Sequence, residues 1–433
     1  LSIINIDKMR EEFVQTVWKY QLFDRNNLRT SNGSSIEIIH QGFLQHQSGP
    51  DFSAARILID GMLWVGNVEI HVKSKEWNHH RHFVDPAYDN VILHVVYTDD
   101  KEICKTNTGR ELPCLEISNR IPKDIIERYE QLANDFRVFP CAKFWKKIPY
   151  SEIDAWLVQL ALQRIEEKLA PIKLRLNDTK FHWEQVCFEL IAKQLGFHVN
   201  AEPMLRLARS LPIEIIQKNA DQPRLIEALL FGQAGMLNRK FNDDYPNQLK
   251  QDYLFLKKKY QLNEIDQTTW KFARLRPLNF PTIRIAQLAA ILCHQTNFFY
   301  SCLTMDDTNS LTEIFKKEIN EYWHNHYVFD KESKRSVKTL GQDSIDNVLM
   351  NTIILLWFSY GQQKNESTYV SKAVEYLERA NAENNVYTNM FKELEFRFNS
   401  ALQTQGVRFL WENYCDEKKC LNCSIGIKGL NIT

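Results

Sequence analysis

Asp51-Phe-Ser-Ala-Ala-Arg-Ile-Leu-Ile-Asp-Gly-Met-Leu-Trp-Val-Gly-Asn-Val-Glu-Ile-His-Val-Lys73 is the stretch that decides how the first third of the chain folds. Asp60-Gly61 lies between two β-rich runs, the strongest short signal for a two-residue hairpin turn. Side chains two apart on a strand share a face. Glu69, His71 and Lys73 therefore present a carboxylate, an imidazole and an amine in one row, and Asp51 stands eighteen residues before Glu69. A tight turn pairs residue 59 with 62 and sets Asp51 opposite Ile70, on the wrong face for Glu69. A one-residue bulge at Gly66-Asn67, pairing 51 with 71 and 53 with 69, restores the match, and so does a three-residue turn.

On one face, Asp51 and Glu69 form an oxygen-ligand pair for Mg²⁺ or Mn²⁺, with positions left open for water and a phosphate oxygen. His71 or Lys73 then polarises that water or stabilises charge developing on the phosphate. The competing reading is the solvated face of a half-buried strand. Further histidines follow at His79, His80, His82 and His94. Imidazole is the commonest metal ligand, so a rival site is a histidine-based metal hydrolase in which His71, His79, His82 and His94 converge. His79 and His80 otherwise read as exposed loop residues, and His94, in an apolar run, as a ligand or a hydrogen-bonded core histidine.

Working outward, Phe13, Val14, Val17, Trp18 and Leu22 follow helical spacing, so residues 1–30 are expected to be a helix. Short β-rich runs follow at 35–39, 54–59, 62–72, 90–97 and 115–117, punctuated by turn residues. Beyond about residue 120 the pattern is helical. Helical runs are marked by Ile153–Leu169, by Trp183–Ile191 with Gly196 as a C-terminal cap, and by 224–231, 282–292, 345–357 and 372–380. The expected class is mixed α+β: a small mixed sheet with flanking helices over 1–120, then a large helical domain over 121–433 ending in a cysteine segment. The 433 residues suit two or three domains at about 100–200 residues each.

Lys+Arg and Asp+Glu are both 54, giving a net charge of +0, so a nucleic-acid partner would need a local basic groove. No run approaches the ~18 apolar residues of a membrane span, and no signal peptide is evident. Nine cysteines are too few and too scattered for a disulfide framework. The expected compartment is the cytoplasm, with no membrane partner.

Two resemblances follow from these motifs. Pro50-Asp51 with Glu69-Ile-His71 resembles the PD-(D/E)xK signature of restriction-endonuclease-like nucleases. The resemblance implies an acidic pair on Mg²⁺, a lysine assisting the attacking water, and a small mixed sheet flanked by helices. His71 stands where that lysine belongs and Lys73 lies two residues on, so the third catalytic group is open between them. The second covers nearly the whole chain. Gly49-Pro-Asp-Phe52, Gly66-Asn-Val-Glu-Ile-His71, Trp77, Tyr88-Asp-Asn-Val-Ile-Leu-His-Val-Val96, Leu230-Phe-Gly-Gln-Ala-Gly235, Arg276-Pro-Leu-Asn-Phe-Pro281 and the terminal cysteines are similar to bacterial domain-of-unknown-function family 2851.

Cys415-x4-Cys420-x2-Cys423 has spacing suited to a structural Zn²⁺ or an iron–sulfur cluster, or to three reduced thiols. The fourth ligand is open among Cys141, Cys104, Cys114 or a histidine; some nuclease-like proteins carry such a cysteine-ligated cluster. Arg274, Arg276 and Arg284 lie among aromatic residues and are candidates for phosphate contacts. The sequence thus points to a metal-dependent nuclease using Asp51, Glu69, His71 and Lys73. The alternatives are a scaffold with a degenerate nuclease-like domain and the histidine-based hydrolase.

Overall fold

The structure is a computed structural model, and it describes residues 9–45, 49–133, 138–305 and 308–430. The chain forms two compact units. One comprises residues 1–157, 389–396 and 407–433, the other 158–388 and 397–406. The cysteine segment therefore belongs with the sheet rather than with a continuous 121–433 domain.

In the first unit, the expected long N-terminal helix is confined, among the described residues, to α1 (Glu11–Lys19). It closes where Gln21 takes a left-handed conformation (φ 53°), and Leu28–Arg29 already belongs to the sheet as β1. The remaining strands are β2 (Ser35–His40), β3 (Phe43–Leu44), β4 (Phe52–Ile59), β5 (Met62–Lys73), β6 (Val91–Thr98) and β7 (Cys114–Glu116). The order is β1-β2-β4-β5-β6-β7, with β3 paired to β4. Pairings up to β4–β5 are antiparallel; β5–β6 and β6–β7 are parallel. The sheet is mixed.

The Asp60-Gly61 turn forms as expected, with φ of 49° and 79° and Ile59 opposite Met62. The bulge lies in β4 rather than at Gly66. Phe52 pairs with Val68 but Ala55 pairs with Gly66, so the extra residue falls at Ser53-Ala54, where Ala54 has φ 55°. Either position repairs the parity, and Asp51 comes to the register position opposite Glu69. Gly66 has a different duty. A Cβ there would lie 2.5 Å from the Asn90 carbonyl oxygen and 2.5 Å from Ile92 Cγ2, so its hydrogen lets β6 approach.

A parallel pair requires a crossover. The β5–β6 crossover holds α2 (Glu76–His79) and two short 3₁₀ turns, His82–Val84 and Pro86–Tyr88. Phe13, Val14, Val17 and Trp18 of α1 share one apolar core with Val68, Ile70 and Val72. Alternation then puts Glu69, His71 and Lys73 on the opposite face. There Trp77, Tyr88, Val91, Cys104 and Leu112 form a smaller cluster. After α3 (Lys123–Ala133), the helix Tyr150–Asp178 carries residues of both units.

The second unit is almost wholly helical around one large apolar core. Its helices include Trp183–Leu195, Pro223–Gln233, Pro281–Leu292 and Ser367–Arg379. Gly196 is the C-cap of its helix, yet it stays right-handed (φ −70°) and Phe197 takes the left-handed position instead. The run expected over 345–357 is two helices, Gln342–Asn351 and Ile353–Lys364, broken at Thr352. A two-stranded ribbon, His326–Val328 with Lys331–Glu332, interrupts the helical pattern. No described helix is long and apolar enough to cross a membrane.

Candidate metal centre

Asp51 and Glu69 meet as the register requires. The Asp51 N–H donates to Glu69 Oε2 (3.0 Å), and the Ile70 N–H donates to Asp51 Oδ2 (3.0 Å). Two residues of α1 that the sequence reading missed complete this side. Gln15 Nε2 donates to Asp51 Oδ1 (2.9 Å) and to Glu11 Oε1 (3.1 Å). The only signal for them was helical: positions 11 and 15 share an edge of α1.

The other oxygen of Glu69 faces histidines. Glu69 Oε1 lies 3.4 Å from His82 Nε2 and 3.8 Å from His71 Nε2. His71 Nδ1 is 2.8 Å from His94 Nε2, and His71 Nε2 is 3.2 Å from His80 Nδ1. His71, His80 and His82 each offer a ring nitrogen within 4.8 Å of the others. Local backbone explains this. Arg81 is left-handed (φ 59°) and reverses the chain between His80 and His82, turning both rings toward β5. Tyr88 stacks on His82 at 3.9 Å between ring centroids, and Trp77 stands against both His82 and His94. His79 is exposed and takes no part; His80 occupies the place expected for it. Lys73 ends β5, half-buried, its N–H donating to Glu76 Oε2 (3.1 Å).

The electrostatics are those of like groups crowded together. Burial and then mutual repulsion push Glu69 far above the ordinary carboxylate range; Asp51 is raised as well, chiefly by burial. Glu11 is raised to about 7 by burial and by Asp51. Burial and neighbouring imidazoles depress His71 to about 2, His94 to about 3 and His82 to about 4. Among the described residues, His82 Nε2 is a buried polar atom without a hydrogen-bond partner. Neutral imidazoles beside paired carboxylates are a donor set that a divalent cation satisfies.

A family profile described as "Protein of unknown function (DUF2851)" matches residues 11–386. The chain belongs to this family. No curated protein and no solved structure matches it. The matched span of this DUF2851 protein includes every residue of the carboxylate–imidazole centre, from Glu11 to His94. It ends before Cys415, Cys420 and Cys423, which lie in the sheet unit beside Cys141.

The arginines lie in the helical unit and differ among themselves. Arg274 and Arg276 are exposed. Arg284 is buried: Nη1 donates to Gln287 Oε1 (2.7 Å), Nη2 to Asn279 Oδ1 (2.6 Å), and the guanidinium lies over Phe197. The residue is enclosed in the unit, with Nε buried and without a partner, so of the three expected phosphate contacts only Arg274 and Arg276 face solvent.

Proposed function

We propose that this chain is a divalent-metal-dependent phosphodiesterase acting on nucleic acid, with Glu69 as the central ligand. The observation that carries the reading is Glu69 itself. One oxygen is joined to Asp51 and the other faces His71 and His82, so a single carboxylate serves an oxygen-rich side and an imidazole side. Asp51 and Glu69 would hold a cation through oxygen, with Glu11 joined to them through Gln15; His71, His80 and His82 would add nitrogen. Such mixed donors suit Mn²⁺ better than Mg²⁺, which prefers oxygen and water. The bound ion would supply Lewis acidity and an acidified water.

The residues divide the remaining work. His71, buried and neutral, is better placed as a ligand than as the base its sequence position implied. With His71 in its Nδ1–H tautomer, that N–H donates to His94 Nε2 and Nε2 is left toward the centre, so His94 orients it. Lys73, at the end of the same row, is the group for charge developing on a phosphate. The nucleic-acid substrate rests on the PD-(D/E)xK resemblance, and the mixed sheet with its flanking helix agrees with that signature.

The test is calorimetric titration of chelator-stripped protein with MnCl₂ and MgCl₂, wild type beside Asp51→Ala, Glu69→Ala and His82→Ala. Cleavage of single- and double-stranded DNA and RNA is assayed in the same metals. Mn²⁺ binding that weakens in all three variants, with Mn²⁺-dependent cleavage lost in Glu69→Ala, supports the reading. Equal affinities throughout would reduce the cluster to a buried polar network; binding without cleavage would leave a metal-binding scaffold.

A further inference from the structure

A second group of ligand-bearing side chains lies elsewhere in the sheet unit, drawn from two distant parts of the sequence. Cys141 sits on the 3₁₀ turn Pro140–Lys143. Cys415 ends a π-helical stretch, Trp411–Cys415, a geometry found often at functional sites. Cys420 opens the 3₁₀ turn Cys420–Asn422, and Cys423 immediately precedes the helix Ser424–Leu430. All four line one pocket, walled by Phe139, Pro140 and Tyr414. All four are free thiols. The chain is drawn tightly round them: a Cβ on Gly426 would collide with the Cys420 carbonyl.

The other five cysteines do not join this group. Cys104 donates to the Ser74 carbonyl oxygen (3.4 Å), and Cys114 lies in β7. Cys187 and Cys302 belong to the helical core, with Cys293 packed against it. The convergence therefore settles on Cys141 as the partner of the terminal three.

Spacing selects among thiolate ligands. A single tetrahedral Zn²⁺ with Zn–S of ~2.3 Å holds its four sulfurs about 3.8 Å apart. Here no three of the four sulfurs lie within 4.8 Å of one another. A polynuclear cluster interposes its own iron and sulfide between the thiolates and so spaces them more widely.

We propose that Cys141, Cys415, Cys420 and Cys423 ligate an iron–sulfur cluster that staples the C-terminal segment to the sheet unit. Assembly takes inorganic sulfide with equal parts of ferrous and ferric iron, which together give a 4Fe–4S core of charge +2 with no electrons left over. Each thiol releases its proton to solvent as its sulfur bonds iron, so the cysteines are neither oxidised nor reduced in binding. The staple bears on the metal centre through α1. The turn Cys420–Asn422 contacts α1, and α1 carries Glu11 and Gln15.

The full chain, purified without oxygen, is analysed for iron, acid-labile sulfide and zinc and for visible charge-transfer absorption. The stripped wild type is then reconstituted with ferrous iron, ferric iron and sulfide. Iron and sulfide in near-equal amounts, retained in Cys293→Ser and lost in Cys141→Ser and Cys423→Ser, is the expected result. One zinc per chain without sulfide overturns the cluster. Metal-free protein that cannot be reconstituted, with all four thiols open to alkylation, overturns the site. The wild-type measurements decide even if a serine variant fails to fold.

Discussion

Asp51 and Glu69 are locked together through the main chain: the Asp51 N–H donates to Glu69 Oε2, while Asp51 Oδ2 accepts from the N–H of Ile70, the residue after Glu69. Each carboxylate thus keeps one oxygen bound to backbone and turns the other to side chains, Asp51 Oδ1 to Gln15 and Glu69 Oε1 to His82 and His71. This reciprocal bond fixes two like charges side by side at a cost from burial and repulsion. The cost has a use if a cation neutralises the pair.

Glu11 tests how far the carboxylate side extends. Gln15 bridges it to Asp51, and Glu11→Gln keeps the shape while removing the charge. Mn²⁺ affinity should fall by about tenfold, the low end of what outlying ligand partners contribute, with thermal stability unchanged or raised. Titration calorimetry beside a melting curve checks both; unaltered affinity would remove Glu11 from the centre.

The metal-free protein should be most stable at about pH 6, because two sets of shifts oppose each other. Glu11 is raised from 4.5 to about 7, and Asp51 and Glu69 are raised in the same direction. The folded state then holds more protons than the unfolded chain, and stability falls as pH rises from 4.5 through 7 and beyond. His71, His82 and His94 are depressed below 6.5. The unfolded state binds the extra protons there, and stability falls as pH drops below 6.5. Urea denaturation across pH 4–9 measures the two limbs. Added Mn²⁺ should flatten the alkaline one, since the bound form requires ionised carboxylates. An alkaline limb indifferent to metal would contradict the assignment.

His94 should act through His71. His94→Gln leaves an acceptor for the His71 N–H; His94→Leu does not. The leucine variant should lose Mn²⁺ affinity by ~10–100-fold, with the glutamine variant nearer wild type. Equal losses with equal loss of stability would make His94 a packing residue only.

Much of the sheet was legible because its signals are local. Asp60-Gly61 fixed the hairpin, and alternation placed Glu69, His71 and Lys73 on one face. The bulge was foreseen from chemistry but put at Gly66, because glycine is the usual cue; Ala54 carries it, at a cost in backbone strain no sequence pattern reports. His80 and Glu11 escaped because their places depend on tertiary geometry, a left-handed Arg81 in one case and the docking of α1 in the other. The two-unit division was hidden for the same reason: residues 389–396 and 407–433 rejoin the sheet unit after the long helical unit that begins at residue 158.

Gly66 marks a close approach of strands. Gly66→Ala would press a methyl group to 2.5 Å from the Asn90 carbonyl oxygen, with Ile92 on the other side. Backbone gives way poorly, so destabilisation of ~1–3 kcal/mol is expected, typical of an overpacked site. A denaturation curve measures it. A neutral substitution would mean that β6 has room to shift and that Gly66 is not what lets the two strands approach.

The three arginines should separate cleanly into structural and surface roles. Arg284→Ala strips Gln287 and Asn279 of their donor and removes the guanidinium from the Phe197 ring. Both amides, Gln287 buried and Asn279 partly so, are left short of a partner, and the loss should be ~1–3 kcal/mol in stability. Arg274→Ala and Arg276→Ala are exposed changes and should stay within about 0.5 kcal/mol. If these two touch phosphates, their double variant weakens nucleic-acid binding and lowers its salt slope while the melting temperature holds. A double variant that binds as wild type does would end the phosphate role of this segment, since Arg284 is buried.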